Sequence, residues 1–267
     1  MTLGKRLMMD NIRLFAKDIH KSFLSQKQEI IALQDVNLDI KEGEFVSLLG
    51  PSGCGKSTFL RLVAGLDTCQ EGRLELDGKQ ITEAGRDRGV VFQQYSLLPW
   101  LYAWENVAFA LKKEASLNKS EKKEKAFHFL KLVGLDGFEH HYPSQMSGGM
   151  QQRVAIARAL VYKPSLLLMD EPFGALDAQT RKEMQDLLLR VWEEEKCSVL
   201  FVTHDVDEAV YLSDRIYVMS ARPGKIAKEI PVNLPRPREW DVQLTKEFIE
   251  YKREIILELQ EKKSTPA

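Results

Sequence analysis

The stretch Gly50-Pro-Ser-Gly-Cys-Gly-Lys-Ser-Thr58 constrains this chain more than any other. It follows the apolar run Glu44-Phe-Val-Ser-Leu-Leu49 and leads into Thr58-Phe-Leu-Arg-Leu-Val-Ala64, which Gly65 stops. The first run reads as a buried strand and the second as a helix. Glycines between them let successive backbone N–H groups turn inward around an anion. The helix N-terminus adds partial positive charge at the same point. Gly50, Pro51, Ser52, Gly53, Cys54, Gly55, Lys56, Ser57 and Thr58 are therefore read as a phosphate cradle. Lys56 reaches the outer phosphates, and Ser57 offers a hydroxyl to Mg²⁺.

Composition narrows the setting. The 267 residues carry a net charge of −1, so no global basic field points to nucleic acid or an anionic membrane. Lys112 to Lys125 is lysine-rich but has no interleaved aromatics, and it reads as a solvated helix face. The three cysteines, Cys54, Cys69 and Cys197, lack CxxC spacing, which excludes a disulfide framework or zinc site and fits a reducing compartment. The N-terminus lacks the apolar core of a signal peptide, and no apolar run approaches membrane-spanning length. The expected location is the cytoplasm, with any membrane role arising through a partner.

Taken in order, residues 1–10 read as a frayed start, and Ile12–Ile19 and Ile30–Ile40 as strands. Lys21-Ser-Phe23 is placed in the turn between them, with Phe23 either stacked on a flat ring or in the core. Gly72–Gly78 and Gly89–Gln93 follow as strands. The texture then turns helical. Glu105–Leu111 is one helix, and Glu121–Val133 is another, capped by Ser120 and stopped by Gly134. Ser147 caps a helix reaching Tyr162. Ser165–Met169, Cys197–Val202 and Arg215–Ser220 are strands; Gln179–Glu195 and Asp207–Leu212 are helices. A Pro-Gly turn at Pro223 and an amphipathic stretch to Leu259 close the chain.

Four buried strands end in polar residues: Gly50, Gln93, Asp170-Glu171 and His204. Ligands of open α/β sheets sit beyond the carboxyl ends of the strands, so parallel pairing would gather these endings. Ser57 and Asp170 supply the oxygens a hard Mg²⁺ ion takes. Glu171 is the candidate base for an attacking water, while His204 and Gln93 hold the water and the terminal phosphate. Ser147-Gly148-Gly149 opens a second helix suited to anions, and the residues alone leave open whether it serves its own chain's nucleotide or another subunit's.

With these motifs in place, the chain resembles the nucleotide-binding subunits of ABC transporters over nearly its whole length. Gly50–Thr58 is similar to the Walker A P-loop and Leu166-Leu-Leu-Met-Asp-Glu171 to Walker B with its catalytic glutamate. Met146-Ser-Gly-Gly-Met150 followed by Gln-Gln-Arg resembles the signature, with methionines where Leu and Gln are commoner. Gln93 matches the Q-loop, Gly174-Ala-Leu-Asp177 the D-loop, His204 the switch histidine, and Phe23 the adenine-stacking aromatic.

The resemblance implies a P-loop NTPase fold, α/β. It has a mostly parallel sheet core, an N-terminal antiparallel β subdomain and an inserted α-helical subdomain at about 94–163. The ATPase domain would span 11–240, with a C-terminal helix and tail at 241–267. It implies ATP and Mg²⁺ as cofactors, with Ser57, Gln93 and Asp170 on the metal. It also implies a head-to-tail homodimer in which Ser147, Gly148, Gly149 and Asp177 complete the partner's nucleotide site.

Membrane permease subunits would dock near Ser96-Leu-Leu-Pro-Trp100, an extracytoplasmic binding protein would deliver substrate, and nucleic acid would play no part. This places the chain on the cytoplasmic face of the membrane. For Trp100 the alternative is burial in the subdomain core. Arg86-Asp-Arg-Gly-Val-Val-Phe-Gln-Gln94, Arg222-Pro-Gly and Leu234-Pro-Arg-Pro-Arg238 resemble the importer branch for nitrate, sulfonates, taurine and bicarbonate. A soluble ABC ATPase acting on nucleic acid or ribosomes, and a small-molecule kinase, are the competing readings.

Overall fold

The computed structural model describes residues 11–25, 28–221 and 223–261. The expected frayed start, Arg222 and the last six residues lie outside them. The chain divides into two compact units. One comprises the chain up to Gly85 and again from Ser198; the other is Arg86–Cys197.

The first unit opens on a long hairpin, β1 (Ile12–Ser25) against β2 (Gln28–Lys41), antiparallel. Register shifts around Ala16 to Ser22 bend it, with Asp18 and Asp35 in the left-handed region at φ +52° and +53°. These bulges carry the pairing past the expected break. Lys21-Ser-Phe23 therefore lies within β1, Phe23 facing Ile30, and not in a turn. β3 (Phe45–Leu49) is wholly buried, and α1 (Lys56–Val63) follows it. β4 (Glu71–Leu76) pairs with β1, and β5 (Lys79–Gln80) with β4. Asp77 and Gly78, both at positive φ, make the tight turn between β4 and β5.

The second unit begins with β6 (Arg88–Val91) and α2 (Ala103–Phe109). α3 (Lys119–Leu132) is capped by Asn118, not Ser120. Asn118 accepts the Glu121 N–H at 3.0 Å, and the Glu121 carboxylate accepts the Asn118 N–H at 2.6 Å. That reciprocal box satisfies two otherwise unpaired donors, which a cap at Ser120 could not do with Lys123 in the answering position. Gly134 at φ +70° ends this region. α4 (Gly148–Leu160) follows its Ser147 cap, whose hydroxyl accepts the Met150 N–H at 3.3 Å. β7 (Leu166–Asp170) runs parallel to β6, and α5 (Ala178–Glu195) closes the unit.

The chain then re-enters the first unit as β8 (Ser198–Thr203), α6 (Val206–Leu212), β9 (Arg215–Met219), β10 (Ile226–Pro231) and α7 (Lys246–Glu261). β3 lies between β8 and β9, parallel to both; β10 is antiparallel to β9. Every residue of β3, β8 and β9 is buried, which explains why their sequences run apolar without alternation.

Candidate functional site

In the first unit the register of β3 on β8 pairs Leu49 with Thr203. Gly50 and His204 are the next residues, so the glycine-rich loop and the histidine leave the sheet at the same edge. The loop has the backbone its glycines permit, Gly53 at φ +77° and Gly55 at φ +103°. A Cβ on Gly55 would lie 2.7 Å from Leu33 Cδ2, so position 55 is closed to side chains sterically as well. Lys56 is buried and folds back on the loop, its Nζ donating to the Gly50 carbonyl at 2.8 Å and the Pro51 carbonyl at 3.2 Å.

Pro51 and Gly55 are half-buried, Ser52, Gly53 and Ser57 exposed, and Thr58 half-buried. Cys54 is buried inside the turn, which removes its thiol from solvent. His204 is exposed at the tip, next to a buried support: Thr203 Oγ1 donates to Glu208 at 2.7 Å and accepts the Asp205 N–H at 3.0 Å. Phe23 is 43% exposed, and the Lys21 ammonium sits 5.1 Å from its ring centroid. Lys21 also bonds Asp67 at 2.7 Å and holds that carboxyl below its usual range.

In the second unit Val91 pairs with Met169, so Gln93 and Asp170-Glu171 share one carboxyl edge. Gln93 Nε2 lies 3.8 Å from where a Gly174 Cβ would stand. Glu171 has φ +43°, in the left-handed region, which costs a non-glycine residue about 1–3 kcal/mol. Ser147 is exposed and the following glycines pack closely. A Cβ on Gly148 would meet the Tyr95 hydroxyl at 3.0 Å, and one on Gly149 would meet Thr180 Cγ2 at 2.7 Å. Thr180 in turn donates to Asp177 at 2.7 Å, and Asp177 accepts the Gln179 and Thr180 N–H groups at 3.1 and 3.0 Å. Those bonds, that from the Thr180 backbone foremost, hold the Asp177 carboxyl below its usual range. Thr180 thus links Gly149 and Asp177 into one packed constellation. Met146 is buried, filling with a flexible thioether the place of the commoner leucine.

Each residue expected on Mg²⁺ carries a donor of the right chemistry: Ser57 in the first unit a hydroxyl, Gln93 and Asp170 in the second an amide and a carboxylate oxygen, all hard ligands. Among the described residues no three His, Cys, Asp or Glu side chains gather as a metal cage.

Several contributors escaped the sequence reading. Asn106, fully buried, accepts the Leu98 N–H at 2.8 Å and donates to the carbonyls of Leu98, Leu101 and Tyr102 at 3.1, 3.0 and 3.1 Å. Arg158 on α4 donates to the Tyr95 and Ser96 carbonyls at 2.9 and 2.7 Å. Together they fix the loop that carries Trp100, which is 69% exposed and so not a core residue. Gly224 presses on the phosphate loop, since a Cβ there would stand 2.0 Å from the Cys54 carbonyl oxygen. Each acts across a long sequence gap or within an apolar run, where composition gives no signal.

Residues 33–174 match the family described as ABC transporter. The nitrate import ATP-binding protein NrtD of a Synechocystis species is 47% identical over 89% of this chain and 91% of its own length. The aliphatic sulfonates import ATP-binding protein SsuB of Bacillus cereus is 47% identical over 91% of this chain and 94% of its own. Among solved structures, the dimeric ATP-binding cassette MJ0796 in a post-hydrolysis state with ADP and Pi superposes with a TM-score of 0.73. That cassette is 38% identical and covers 83% of this chain and 100% of its own.

Proposed function

Because this chain belongs to the ABC transporter family, as an ATP-binding subunit that hydrolyses ATP coupled to transport, we propose that it drives uptake of a small oxyanion. Nitrate or an organic sulfonate is the leading class, and taurine and bicarbonate are close alternatives. Likeness to the nitrate and sulfonate import proteins over nine-tenths of the chain is the observation that carries this reading.

The chemistry follows from the residues. Gly50–Thr58 wraps the phosphates with backbone N–H groups, and Lys56 exchanges its two loop carbonyls for phosphate oxygens. Ser57, Gln93 and Asp170 would hold Mg²⁺, which when bound would supply positive charge against the phosphates. Glu171 takes the proton of the attacking water, and His204 and Gln93 orient water and terminal phosphate. Phe23 stacks on the adenine.

Ser147, Gly148 and Gly149, with Asp177, act on the nucleotide of a second copy, so the working form is a homodimer. The ATPase domain is assigned to 11–240, its helical subdomain to about 94–163, and the C-terminal helix and tail to 241–267. Ser96-Leu-Leu-Pro-Trp100, with its exposed Trp100, is the docking patch for a membrane permease. An extracytoplasmic binding protein then supplies the substrate. Among the described residues no helix is long and apolar enough to cross a membrane. The permease therefore provides the attachment at the cytoplasmic face.

The test is co-purification with the cell's own permease, followed by ATPase assay in proteoliposomes with each anion and its binding protein. Stimulation by one anion establishes the reading. A phosphorylated small-molecule product, or a salt-sensitive complex with RNA or DNA, overturns it.

A further inference from the structure

The Leu234-Pro-Arg-Pro-Arg238 segment has no part in the chemistry above, yet both of its arginines are spent on one short helix. A helix leaves its last four carbonyls without internal partners. In α6 all four are accounted for. The Ala209 carbonyl accepts the Ser213 N–H at 3.2 Å. The Val210 and Tyr211 carbonyls accept from Arg238 Nη1 at 3.2 and 2.9 Å, and the Leu212 carbonyl accepts from Arg236 Nη2 at 2.7 Å. Arg238 also donates to the carbonyls of Ser213 at 2.8 Å and Leu234 at 3.3 Å, and Arg236 Nε to Asp214 at 2.9 Å. The Tyr211 hydroxyl returns a bond to the Arg238 carbonyl at 3.3 Å.

Arg238 is buried, and loss of solvent pulls its guanidinium down to about 10. A buried cation opposes stability unless its bonds are worth more. Here Arg238's bonds run to the last turn of α6, to Ser213 just beyond it, and to the Val232 and Leu234 carbonyls that lead into the segment. The opposite end of α6 is equally fixed. Asp205 caps it through the Asp207 and Glu208 N–H groups at 2.8 and 3.1 Å, and Glu208 is tied to Thr203. His204 is the one residue between Thr203 and the cap.

We infer that residues 234–238 form a strap that holds α6 in register, with Arg238 as a positioning residue that fixes His204 for hydrolysis. The inference rests on the reading of His204 given above. The fork lets Arg238 meet the Val210, Tyr211 and Ser213 carbonyls through Nη1 and the Leu234 carbonyl through Nη2, a spread that the single nitrogen of a lysine does not span.

The test uses the full purified chain with Mg-ATP, comparing Arg238→Met, Arg238→Lys, His204→Ala and both doubles, with folding checked by thermal midpoint and binding of a fluorescent ATP analogue. The expected result is a kcat about tenfold lower for Arg238→Met and about threefold lower for Arg238→Lys, with KM within about twofold of the parent. In the His204→Ala background either substitution adds less than about twofold, since its effect passes through the missing imidazole. Amide exchange across α6 speeds up in both variants. Should Arg238→Met not fold, the lysine variant runs the same cycle. The strap is overturned if a folded Arg238 variant keeps parental kcat, or if its loss is undiminished without His204. A His204→Ala enzyme with parental kcat overturns instead the reading of His204 on which the strap rests.

Discussion

Replacing Asn106 with leucine isolates how the exposed Trp100 loop is held. Leucine keeps the same branched four-atom skeleton, so no cavity is opened and the hydrogen bonds are what is removed. Four hydrogen bonds disappear: one accepted from Leu98 N–H and three donated to the carbonyls of Leu98, Leu101 and Tyr102. The Tyr102 carbonyl keeps a partner, because the backbone N–H of residue 106 still reaches it at 2.9 Å. The Leu98 carbonyl keeps one too, the Leu101 N–H at 3.1 Å. Two backbone groups are left, the Leu98 N–H and the Leu101 carbonyl. Leu98 and Leu101 are half-buried, so water recovers part of each. At about 1–3 kcal/mol for each fully stranded group, the partly hydrated pair costs about 1–3 kcal/mol. In a chain of this size that lowers the thermal midpoint by about 3–8 °C.

The measurement is thermal unfolding by circular dichroism, with binding of a fluorescent ATP analogue as the control; nucleotide affinity should stay within about twofold. Asn106→Asp adds a sign test. A carboxylate facing three carbonyls in a buried place has its pKa raised, so its protonated form is the one that fits. That variant's deficit relative to wild type should be largest at pH 7 and should shrink as pH falls below about 5. An Asn106→Leu midpoint within about 1 °C of wild type, or an Asp deficit that grows on acidification, would refute the reasoning.

Other outcomes follow from the same coordinates. Glu171→Gln should lower kcat at least about a hundredfold while retaining ATP, and gel filtration should show nucleotide-dependent dimers; hydrolysis at the parental rate would remove Glu171 as the base. Lys56→Ala should weaken ATP binding by about ten- to a hundredfold, the value of charge-assisted bonds, measured by titration calorimetry. Gly149→Ala should destabilise by about 1–3 kcal/mol through its 2.7 Å approach to Thr180 Cγ2. Thr180→Ser deletes that methyl, keeps the hydroxyl on Asp177, and should restore the loss; a double variant no better than Gly149→Ala would show that the strain lies elsewhere. Burial pushes the Cys197 thiol up to about 12 and Cys54 is enclosed. Iodoacetamide at pH 8 should therefore label half-exposed Cys69 first, as peptide mass spectrometry can read.

The parts of the fold that could be read in advance are those where one local force decides. A strand buried on both faces must be apolar throughout, so β3, β7 and β8 declare themselves, and with them the residues at their ends. The errors arise where two local solutions compete. Asn118 and Ser120 are both able caps, and the choice falls to Asn118 because Glu121 stands three residues on to complete the box. Lys21-Ser-Phe23 is expected in the turn between two short strands, but a bulge near Asp18 carries the pairing on and β1 continues through it.

A third group has no local signature at all. Pro223-Gly224 reads as an ordinary turn, yet Gly224 must be glycine because the Cys54 carbonyl is in contact with it. Nothing in Leu234-Pro-Arg-Pro-Arg238 as a sequence assigns Arg238 a partner, yet it is buried on the carbonyls of a helix more than twenty residues earlier. Such residues touch no substrate, so motif matching passes over them. What they hold are the backbone segments on which the motif residues ride. The positions that decide how well this chemistry runs therefore include ones its motifs do not contain, and they are found by asking where each buried backbone group finds its partner.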